Sequence, residues 1–445
     1  MKGYEKYFAG QQVTMLGLGV LGRGLNDAKF LAECGAKLLI TDMKSKKELA
    51  TSLDELKQYA GIKYVLGEHR LEDFETCDMV LKSARVPLNS PYVAEAKKHS
   101  IPVEMDASLF ARLAEGVMIV GITGTRGKTT TTHLMYEILK ASGKHVFLGG
   151  NIRGMATLPL IKKVKKGDIV VLELDSWQLQ GFGDAKLSPH IAIFTNFLDD
   201  HLDYYNGDRN AYLKDKANIF KYQKKEDILI VGSQAIPRIE RKYKDDAGRA
   251  IVVDVRNVPK TWKLRVPGEH FRSNAALAIM ATKKLGVSAA VSRRVVENFA
   301  GIPGRLERLR DVCGIAVYND TCATTPDATI AALSALGKKK SIVLIVGGHD
   351  KKLDMKKLIA ELPKYCKAVV LLAGSGTDRI RAAVHKHKKL FVSDAAMLQD
   401  AVSIAFEKAT KGDVVLFSPA FASFGMFKNE YDRGDQFIAV LKSKR

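Results

Sequence analysis

The stretch from Val117 to Thr131 constrains the fold of this chain more than any other. It begins with an apolar, β-branched run, continues through a loop that contains Gly124 and Gly127, and enters a helical pattern over 130–141. A strand, a glycine loop and a helix N-terminus form a cradle for phosphate, because backbone N–H groups and the helix dipole face the anion. The pattern predicts an α/β domain that binds a nucleotide.

Two side chains directly after the second glycine suit the same chemistry. The ammonium of Lys128 is expected to meet phosphate charge, and the hydroxyl of Thr129 is expected to reach Mg²⁺. The common phosphate-loop pattern is incomplete, because Ile122 occupies its first glycine position. An ordinary strand–turn–helix with a chance Gly-Lys-Thr is the alternative. The predicted nucleotide-binding residues here are Gly124, Thr125, Arg126, Gly127, Lys128, Thr129 and Thr130.

A second glycine-rich loop lies near the start of the chain. A short strand pattern over 12–18 leads into Gly17-Leu-Gly-Val-Leu-Gly22, and a helical pattern over 25–34 follows. Another strand pattern, over 37–40, ends at Asp42, twenty residues after the third glycine. Strand, helix and acid together predict a βαβ unit for a nucleotide-shaped ligand, although the glycine pattern alone is a weak signal.

The remaining patterns alternate between strand and helix up to the C-terminus, which predicts an α/β protein with mostly parallel sheets. Strands are expected at 79–82, 103–105, 168–174, 190–195, 228–231, 250–253, 315–318, 341–346, 368–372 and 414–417, and an alanine-rich helix at 273–285. Loops with glycine follow several strand ends, where open α/β sheets hold their ligands.

Acidic residues follow two of the strands in the central third. Glu173 ends an apolar strand, where a Mg²⁺ ligand is expected beside a phosphate loop; a capping acid is the alternative. A second group of polar residues lies at the next strand end. We interpret it as a set of metal ligands; a polar loop containing an Asx turn is the alternative. This group consists of Asp199, Asp200, His201 and Asp203.

Composition limits the class of protein. A chain of 445 residues is expected to hold two to four domains. The net charge of +21 favours anionic partners, but the lysines are spread along the chain, as in solvated helix ends and loops. Five scattered cysteines argue against disulfides or zinc. With no signal-peptide pattern and no apolar run of about 20 residues, we expect a cytoplasmic protein without a transmembrane segment.

Ten motifs, taken in order, give the chain a resemblance to the Mur ligases of peptidoglycan synthesis. The set extends over nearly the whole chain and is specific as a set, although no single motif would be. Gly17–Gly22 and the Ser-Pro-Ala segment at 418–420 favour the branch that adds D-glutamate. The motifs lie at 121–130, 149–152, 172–179, 195–203, 212–216, 268–270, 301–307, 318–324, 347–351 and 418–424.

The resemblance implies three α/β domains and an ATP-dependent ligase. A Rossmann-like domain at 1–115 would bind UDP-N-acetylmuramoyl-L-alanine, a phosphate-loop ATPase domain would span 116–303, and a Rossmann-like domain at 304–445 would bring the amino acid. The substrate carboxylate would attack the γ-phosphate of ATP to give an acyl phosphate. The amine of D-glutamate would then displace phosphate. We expect a monomer, with no stable nucleic-acid partner.

The same resemblance implies roles for individual residues. Thr129 and Glu173 would hold one Mg²⁺, and His201 with a carbamylated Lys216 would hold a second; an unmodified lysine at 216 would instead suit a helix surface. Asn151 would orient the substrate, and Arg305 and Asp320 would contact the nucleotide. The UDP-substrate would meet Gly19, Val20, Leu21, Asp42 and Asn151, and the amino acid would meet Thr324, Lys351 and Ser423.

Several positions depart from the family pattern. Arg126 replaces the usual asparagine of the phosphate loop, and Cys322 replaces a usual lysine, so Arg126 is a candidate for the missing cation. Glu430 stands at a position that is often aromatic in the family. If its carboxylate points inward, it would favour a basic amino acid as the substrate; the alternative is that it points to solvent. Further departures are Met43-Lys44, Phe271 and Thr325.

Two rival functions remain. A ligase of the folylpolyglutamate synthase type would be expected to lack the Gly17–Gly22 block. A basic phosphate-loop ATPase acting on nucleic acid would bind with a steep salt dependence.

Overall fold

A computed structural model describes residues 3–202, 204–337, 340–388 and 390–442. The strands form three sheets, and helices alternate with the strands, so the predicted mostly parallel α/β class is confirmed. The chain divides into two compact units. One comprises Met1–Phe197, Asn210–Asp254 and Leu277–Ser292, and the other comprises Leu198–Arg209, Val255–Ala276 and Arg293–Arg445. Every helix among the described residues is too short or too polar to span a bilayer.

The first sheet, in the first unit, has five parallel strands in the order β3–β2–β1–β4–β5. The chain leaves β1 toward one edge and returns as β4 on the other side, so a crevice opens at the carboxyl ends of β1 and β4. The strands are β1 Gln12–Leu16, β2 Lys37–Asp42, β3 Lys63–Leu66, β4 Met79–Lys82 and β5 Val103–Glu104. The helices are α1 Tyr4–Phe8, α2 Arg23–Glu33, α3 Ala50–Leu56, α4 Pro91–Lys98 and α5 Asp106–Leu113, with a 3₁₀ turn at Leu71–Phe74.

The second sheet belongs to the same unit and has six parallel strands in the order β11–β10–β9–β6–β8–β7. Its central strand, β6, carries the phosphate loop, and β8 and β9 flank it. The strands are β6 Met118–Thr123, β7 Val146–Gly150, β8 Ile169–Glu173, β9 Ile191–Phe194, β10 Ile228–Gly232 and β11 Ile251–Val253. The helices are α6 Lys128–Ala141, α7 Ser176–Asp184, α8 Arg209–Ala217, α9 Ile236–Glu240 and α10 Lys244–Arg249, with a 3₁₀ turn at Leu158–Lys162. A further 3₁₀ turn, at Val255–Asn257, belongs to the second unit.

The third sheet lies in the second unit and has the order β12–β13–β17–β14–β15–β16, with only β12 antiparallel. Strand β17 lies between β13 and β14 and is parallel to both, so the carboxyl ends of these three strands lie at the same edge of the sheet. The strands are β12 Glu307–Arg308, β13 Ala316–Asn319, β14 Ile342–Gly347, β15 Cys366–Leu372, β16 Phe391–Ala395 and β17 Val414–Phe417. The helices from α11 onward are α11 Glu269–Lys284, α12 Ala289–Asn298, α13 Pro326–Leu336, α14 Lys356–Tyr365, α15 Ser375–His385, α16 Leu398–Lys408 and α17 Glu430–Lys442.

All the strands expected from the sequence are present, with ends shifted by one or two residues. The phosphate-loop helix begins at Lys128 rather than near residue 130, because Gly127 adopts a left-handed conformation (φ 82°) and forms its N-cap. Each sheet draws its strands from one of the three expected segments, 1–115, 116–303 and 304–445. The domain boundaries themselves stay a prediction.

Candidate active site

The phosphate loop connects β6 to α6 and is held by the end of the neighbouring strand β9. The Thr125 N–H donates to the carbonyl of Asn196 (2.9 Å), and the Arg126 N–H donates to the side-chain oxygen of Asn196 (2.9 Å). The Thr195 hydroxyl donates to the Arg126 carbonyl (2.5 Å). These bonds fix the loop before α6 begins. The N-cap of this 14-residue helix is Gly127, and among the described residues no side chain makes a cap hydrogen bond there, which suits an anion.

Gly124 is the position where the loop tolerates no side chain. Its φ of 134° is unfavourable for an L-residue, and a Cβ there would lie 1.9 Å from the hydroxyl oxygen of Thr195. We expect Gly124→Ala to displace the loop, to weaken ATP binding and to lower stability by about 1–3 kcal/mol. Nucleotide titration and thermal unfolding would measure both effects.

Gly143, after the end of α6, provides a matched control for that substitution. It also has a positive φ (79°), but a Cβ there would meet nothing within 4 Å. Gly143→Ala should therefore keep ATP affinity. Equal ATP affinity in the two variants would show that contact with Thr195 does not shape the loop.

Lys128 begins α6 and folds over the loop. Its ammonium donates to the carbonyls of Gly124 (3.0 Å) and Thr125 (3.1 Å). The Lys128 side chain therefore lies beside the loop that would enclose a phosphate. Thr129 and Thr130 follow in the first turn of the same helix.

Two predicted metal ligands also lie at this edge of the second sheet. Glu173 ends β8, is 3% exposed and pairs in register with Ile122 of β6. Lys216, on α8, is 1% exposed and donates to the Thr123 hydroxyl (3.3 Å) and the Gly124 carbonyl (2.8 Å). Lys216 is therefore not a residue of a helix surface; it touches the phosphate loop. Sequence spacing alone could not place it there.

The first unit also contains a pocket of about 580 Å³ at the carboxyl ends of β1 and β4. The predicted residues Gly19, Val20, Leu21, Asp42 and Asn151 all line it. The Asp42 carboxylate accepts the N–H groups of Leu18 (2.9 Å) and Gly19 (2.8 Å), so this acid holds the glycine loop in shape. Val20 and Leu21 are 55% and 45% exposed, which leaves an apolar rim.

Sequence reasoning missed several residues of this pocket. Arg23, Lys82 and Trp177 line it. Lys82 is buried, and burial lowers its pKa to about 8, with Asp184 and Asp175 opposing that shift. Its ammonium donates to the carbonyl of Val86 (2.7 Å) and so braces the loop after β4. In the sequence, the available signal for this residue was a lysine at the end of an apolar strand.

In the second unit, the acid–histidine loop contacts the loop after β14. The Lys351 ammonium lies 2.5 Å from a carboxylate oxygen of Asp200. His201 has a positive φ (53°), and its ring Nε2 lies 3.6 Å from the second Asp200 oxygen. Asp199 pairs instead with Arg209 (2.7 Å). The last member of the predicted cluster, Asp203, lies outside the described residues.

Asp320 supports the turn that carries Arg305. Its two carboxylate oxygens accept the N–H of Leu306 (2.9 Å) and the hydroxyl of Ser418 (2.8 Å). Burial raises the pKa of Asp320 to about 7, although both hydrogen bonds and the charge of Arg305 oppose that shift. Leu306 itself has a positive φ (47°). Asp320 therefore shapes the backbone beside Arg305.

The three predicted amino-acid contacts follow three adjacent strands. Thr324 follows β13, Lys351 follows β14 and Ser423 follows β17. Backbone hydrogen bonds join these loops: the Ala420 N–H donates to Ala323, and His349 and Ala422 exchange both of theirs. The structure therefore brings the three loops together at one sheet edge.

Arg433, which sequence reasoning missed, supports the same edge. It is completely buried on α17 and donates to the Thr321 hydroxyl (3.1 Å), the Thr321 carbonyl (2.6 Å) and the Phe421 carbonyl (3.1 Å). Burial lowers the pKa of Arg433 to about 10, and the nearby Glu430 carboxylate opposes this. Burial likewise raises the pKa of the Cys322 thiol, and the Glu430 charge adds to that. Glu430 is itself half-buried, and its charge acts on both Cys322 and Arg433.

Two models of protein families match the chain. The Mur ligase middle domain matches residues 122–253, and the Mur ligase glutamate ligase domain matches residues 304–421. Full-length relatives named UDP-N-acetylmuramoylalanine–D-glutamate ligase are similar too. The relative from Roseiflexus sp. is 36% identical over 98% of this chain and 99% of its own length. The relative from Streptococcus agalactiae serotype III is 35% identical over 98% of each chain.

Solved structures share the fold at lower identity. The UDP-N-acetylmuramate–alanine ligase of Thermotoga maritima has a TM-score of 0.60 at 19% identity, and the alignment covers 98% of this chain and 100% of that one. A MurF ligase from the same organism, in complex with ADP, has a TM-score of 0.59 at 17% identity, covering 99% and 96%. E. coli FolC has a TM-score of 0.57 at 18% identity and covers only 76% of this chain, against 92% of its own. Because the chain is similar to these D-glutamate ligases over nearly its full length and matches two Mur ligase domain models, it belongs to the Mur ligase family.

Proposed function

We propose that this protein is an ATP-dependent ligase that joins D-glutamate to UDP-N-acetylmuramoyl-L-alanine in peptidoglycan precursor synthesis. The strongest support is the 36% identity to a D-glutamate ligase over 98% of the chain. The geometry of the first unit agrees, because a phosphate loop and a nucleotide-sized pocket lie in the same compact unit. The chain also has the Gly17–Gly22 block, which disfavours a ligase of the folylpolyglutamate type.

The proposed reaction has two steps whose charges fit the residues of the site. The carboxylate of the UDP-substrate attacks the γ-phosphorus of ATP, forming an acyl phosphate and releasing ADP. The amine of D-glutamate then attacks the acyl carbon, an amide bond forms, and inorganic phosphate leaves with the C–O bond electrons. The first step brings two anions together, so cations must lower their repulsion. Lys128 and the phosphate-loop N–H groups provide that charge in this proposal.

The oxygen-rich donors around the loop fit magnesium. Mg²⁺ prefers carboxylate and hydroxyl oxygens together with phosphate, and the buried carboxylate of Glu173 with the hydroxyl of Thr129 supplies that chemistry. Bound there, the ion would neutralise phosphate charge. We propose that His201 and a carbamylated Lys216 hold a second ion. For carbamylation, the lysine ammonium first loses a proton; the resulting amine forms an N–C bond to carbon dioxide and releases a second proton, so a cation becomes an anionic oxygen ligand.

The other residues would bind and orient the substrates. We propose that Arg305 and Asp320 contact the nucleotide and that Asn151 orients the UDP-substrate. The carboxylates of D-glutamate would meet Thr324, Lys351 and Ser423, because an ammonium and two hydroxyls are suitable donors to carboxylate oxygens. We further propose a monomer that acts in the cytoplasm.

The amino-acid preference is the sharpest test of this function. We expect the protein, given ATP, Mg²⁺ and UDP-N-acetylmuramoyl-L-alanine, to release phosphate and form product with D-glutamate. Mass spectrometry over a panel of D- and L-amino acids would identify the products. The half-buried carboxylate of Glu430, near Cys322, makes lysine the most informative competitor.

Three outcomes of that panel, repeated with DNA or RNA added, separate the alternatives. A preference for lysine or an L-isomer would overturn the amino-acid assignment and leave the ligase mechanism standing. Phosphate release that ignores both substrates would contradict the ligase assignment itself. Phosphate release stimulated by DNA or RNA, with a steep loss in salt, would instead favour the nucleic-acid ATPase.

A further inference from the structure

The start of α2 forms two side-chain hydrogen bonds with the loop that follows β7. One guanidinium nitrogen of Arg23, Nη2, donates to the side-chain oxygen of Asn151 (2.7 Å). One turn along, the Asn26 side-chain amide donates to the carbonyl of Gly154 (3.1 Å). Both bonds join residues 128 positions apart within the first unit. Of these side chains, Arg23 and Asn151 line the 580 Å³ pocket and Asn26 does not.

The contact with Arg23 decides how Asn151 faces the pocket. The backbone N–H of Asn151 donates to the Glu173 carbonyl (2.7 Å), so the main chain is already fixed. The side-chain oxygen Oδ1 accepts from Arg23, which leaves the Nδ2 group as the donor for a ligand. Without the guanidinium, the amide could rotate and present its oxygen instead. An oxygen would repel the anionic groups of a nucleotide.

Arg23 is available for this task because, in the part of the chain that the structure describes, it forms no ion pair with an acid. The nearest acid along the helix, Asp27, is buried; burial and then the Asp106 carboxylate raise its pKa well above the usual range, although the charge of Arg23 opposes that shift. The Nε atom of Arg23 is also buried and makes no hydrogen bond with a described residue. The guanidinium therefore faces the pocket and Asn151.

We infer that Arg23 is a positioning residue for the UDP-substrate, because it orients the Asn151 amide as a donor toward the pocket. The inference rests on the proposed function. Arg23 would act on binding of the UDP-substrate and leave ATP and the amino acid unaffected.

The test measures affinity for UDP-N-acetylmuramoyl-L-alanine by calorimetry without ATP. Arg23→Met should weaken binding about tenfold to hundredfold, the loss typical of a charge-assisted hydrogen bond. It should raise KM for this substrate while KM for ATP and D-glutamate stays unchanged. Arg23→Lys should recover part of the affinity, because an ammonium can still donate to Oδ1. Arg23→Lys also keeps the test valid if the methionine variant fails to fold.

Asn26→Ala is the matched control. It removes the second bond between α2 and the same loop, but changes no pocket-lining side chain. It should keep the affinity of the wild-type protein. If Asn26→Ala weakens binding as much as Arg23→Met does, the helix–loop contact is structural and the inference is wrong.

A double-mutant cycle separates action through Asn151 from an independent effect. The variant with both Arg23→Met and Asn151→Ala should bind no more weakly than Asn151→Ala alone. Additive losses, or no loss in Arg23→Met, would overturn the inference while the wild-type protein still binds the substrate. If the wild-type protein does not bind this substrate, the proposed function fails instead.

Discussion

Replacing Lys128 with alanine should reduce ligation to a small residual rate. Lys128 is the first residue of α6, and its ammonium lies over the phosphate loop, 3.0 Å from the Gly124 carbonyl. One charged donor to a developing phosphate charge contributes about 3–4 kcal/mol, or roughly a 10²–10³-fold loss in kcat. Phosphate release and product mass, with all three substrates saturating, would measure the loss.

Lys140, at the exposed end of the same helix, is the control for Lys128. It is exposed and lies over the ring of Tyr136 rather than near the loop. Lys140→Ala should keep the wild-type rate. If Lys128→Ala retains more than about a tenth of the wild-type rate, a loss below the expected range, the assignment of the phosphate loop is wrong.

Lys216→Ala should also strongly lower the rate of ligation, and small carboxylic acids should partly restore that rate. The proposed carbamate supplies an oxygen ligand to a metal ion, and acetate or formate can occupy the space left by the truncated side chain. Loss of a metal ligand is expected to lower kcat by roughly 10²-fold or more. The measurement is the initial rate of phosphate release against acetate concentration. Wild-type enzyme should also lose activity reversibly in buffer depleted of carbon dioxide.

Lys214 provides the comparison on the same helix. It is exposed, whereas Lys216 is buried against the phosphate loop. Lys214→Ala should keep its rate with or without acetate. A Lys216→Ala variant at wild-type rate without added acid would contradict the metal assignment. A folded but inactive variant that no acid restores would show that Lys216 acts through its hydrogen bonds to Thr123 and Gly124.

Local patterns were sufficient for most of the strands, the glycine loops and the class of fold. A buried strand followed by Gly124 and Gly127 predicts its own structure, because the strand, the φ > 0 positions and the helix start are determined by neighbours in sequence. The same holds for Gly17–Gly22, whose helix begins directly after Gly22. Four strands were not predicted: β3, β7, β12 and β16. The two-residue strand β12 could not be, because its antiparallel pairing with β13 depends on a partner and not on its own pattern.

The sequence by itself therefore determined the mostly parallel α/β class and the phosphate loop and, by resemblance, the three-part architecture and the family. Tertiary structure alone decided which distant side chains meet. It placed Lys216 against Gly124, 92 positions away, and Lys351 against Asp200, 151 positions away. It also joined Arg23 to Asn151 across 128 positions. Such contacts leave no periodic signal, because they arise where the carboxyl ends of parallel strands and their loops converge, and that convergence depends on strand order.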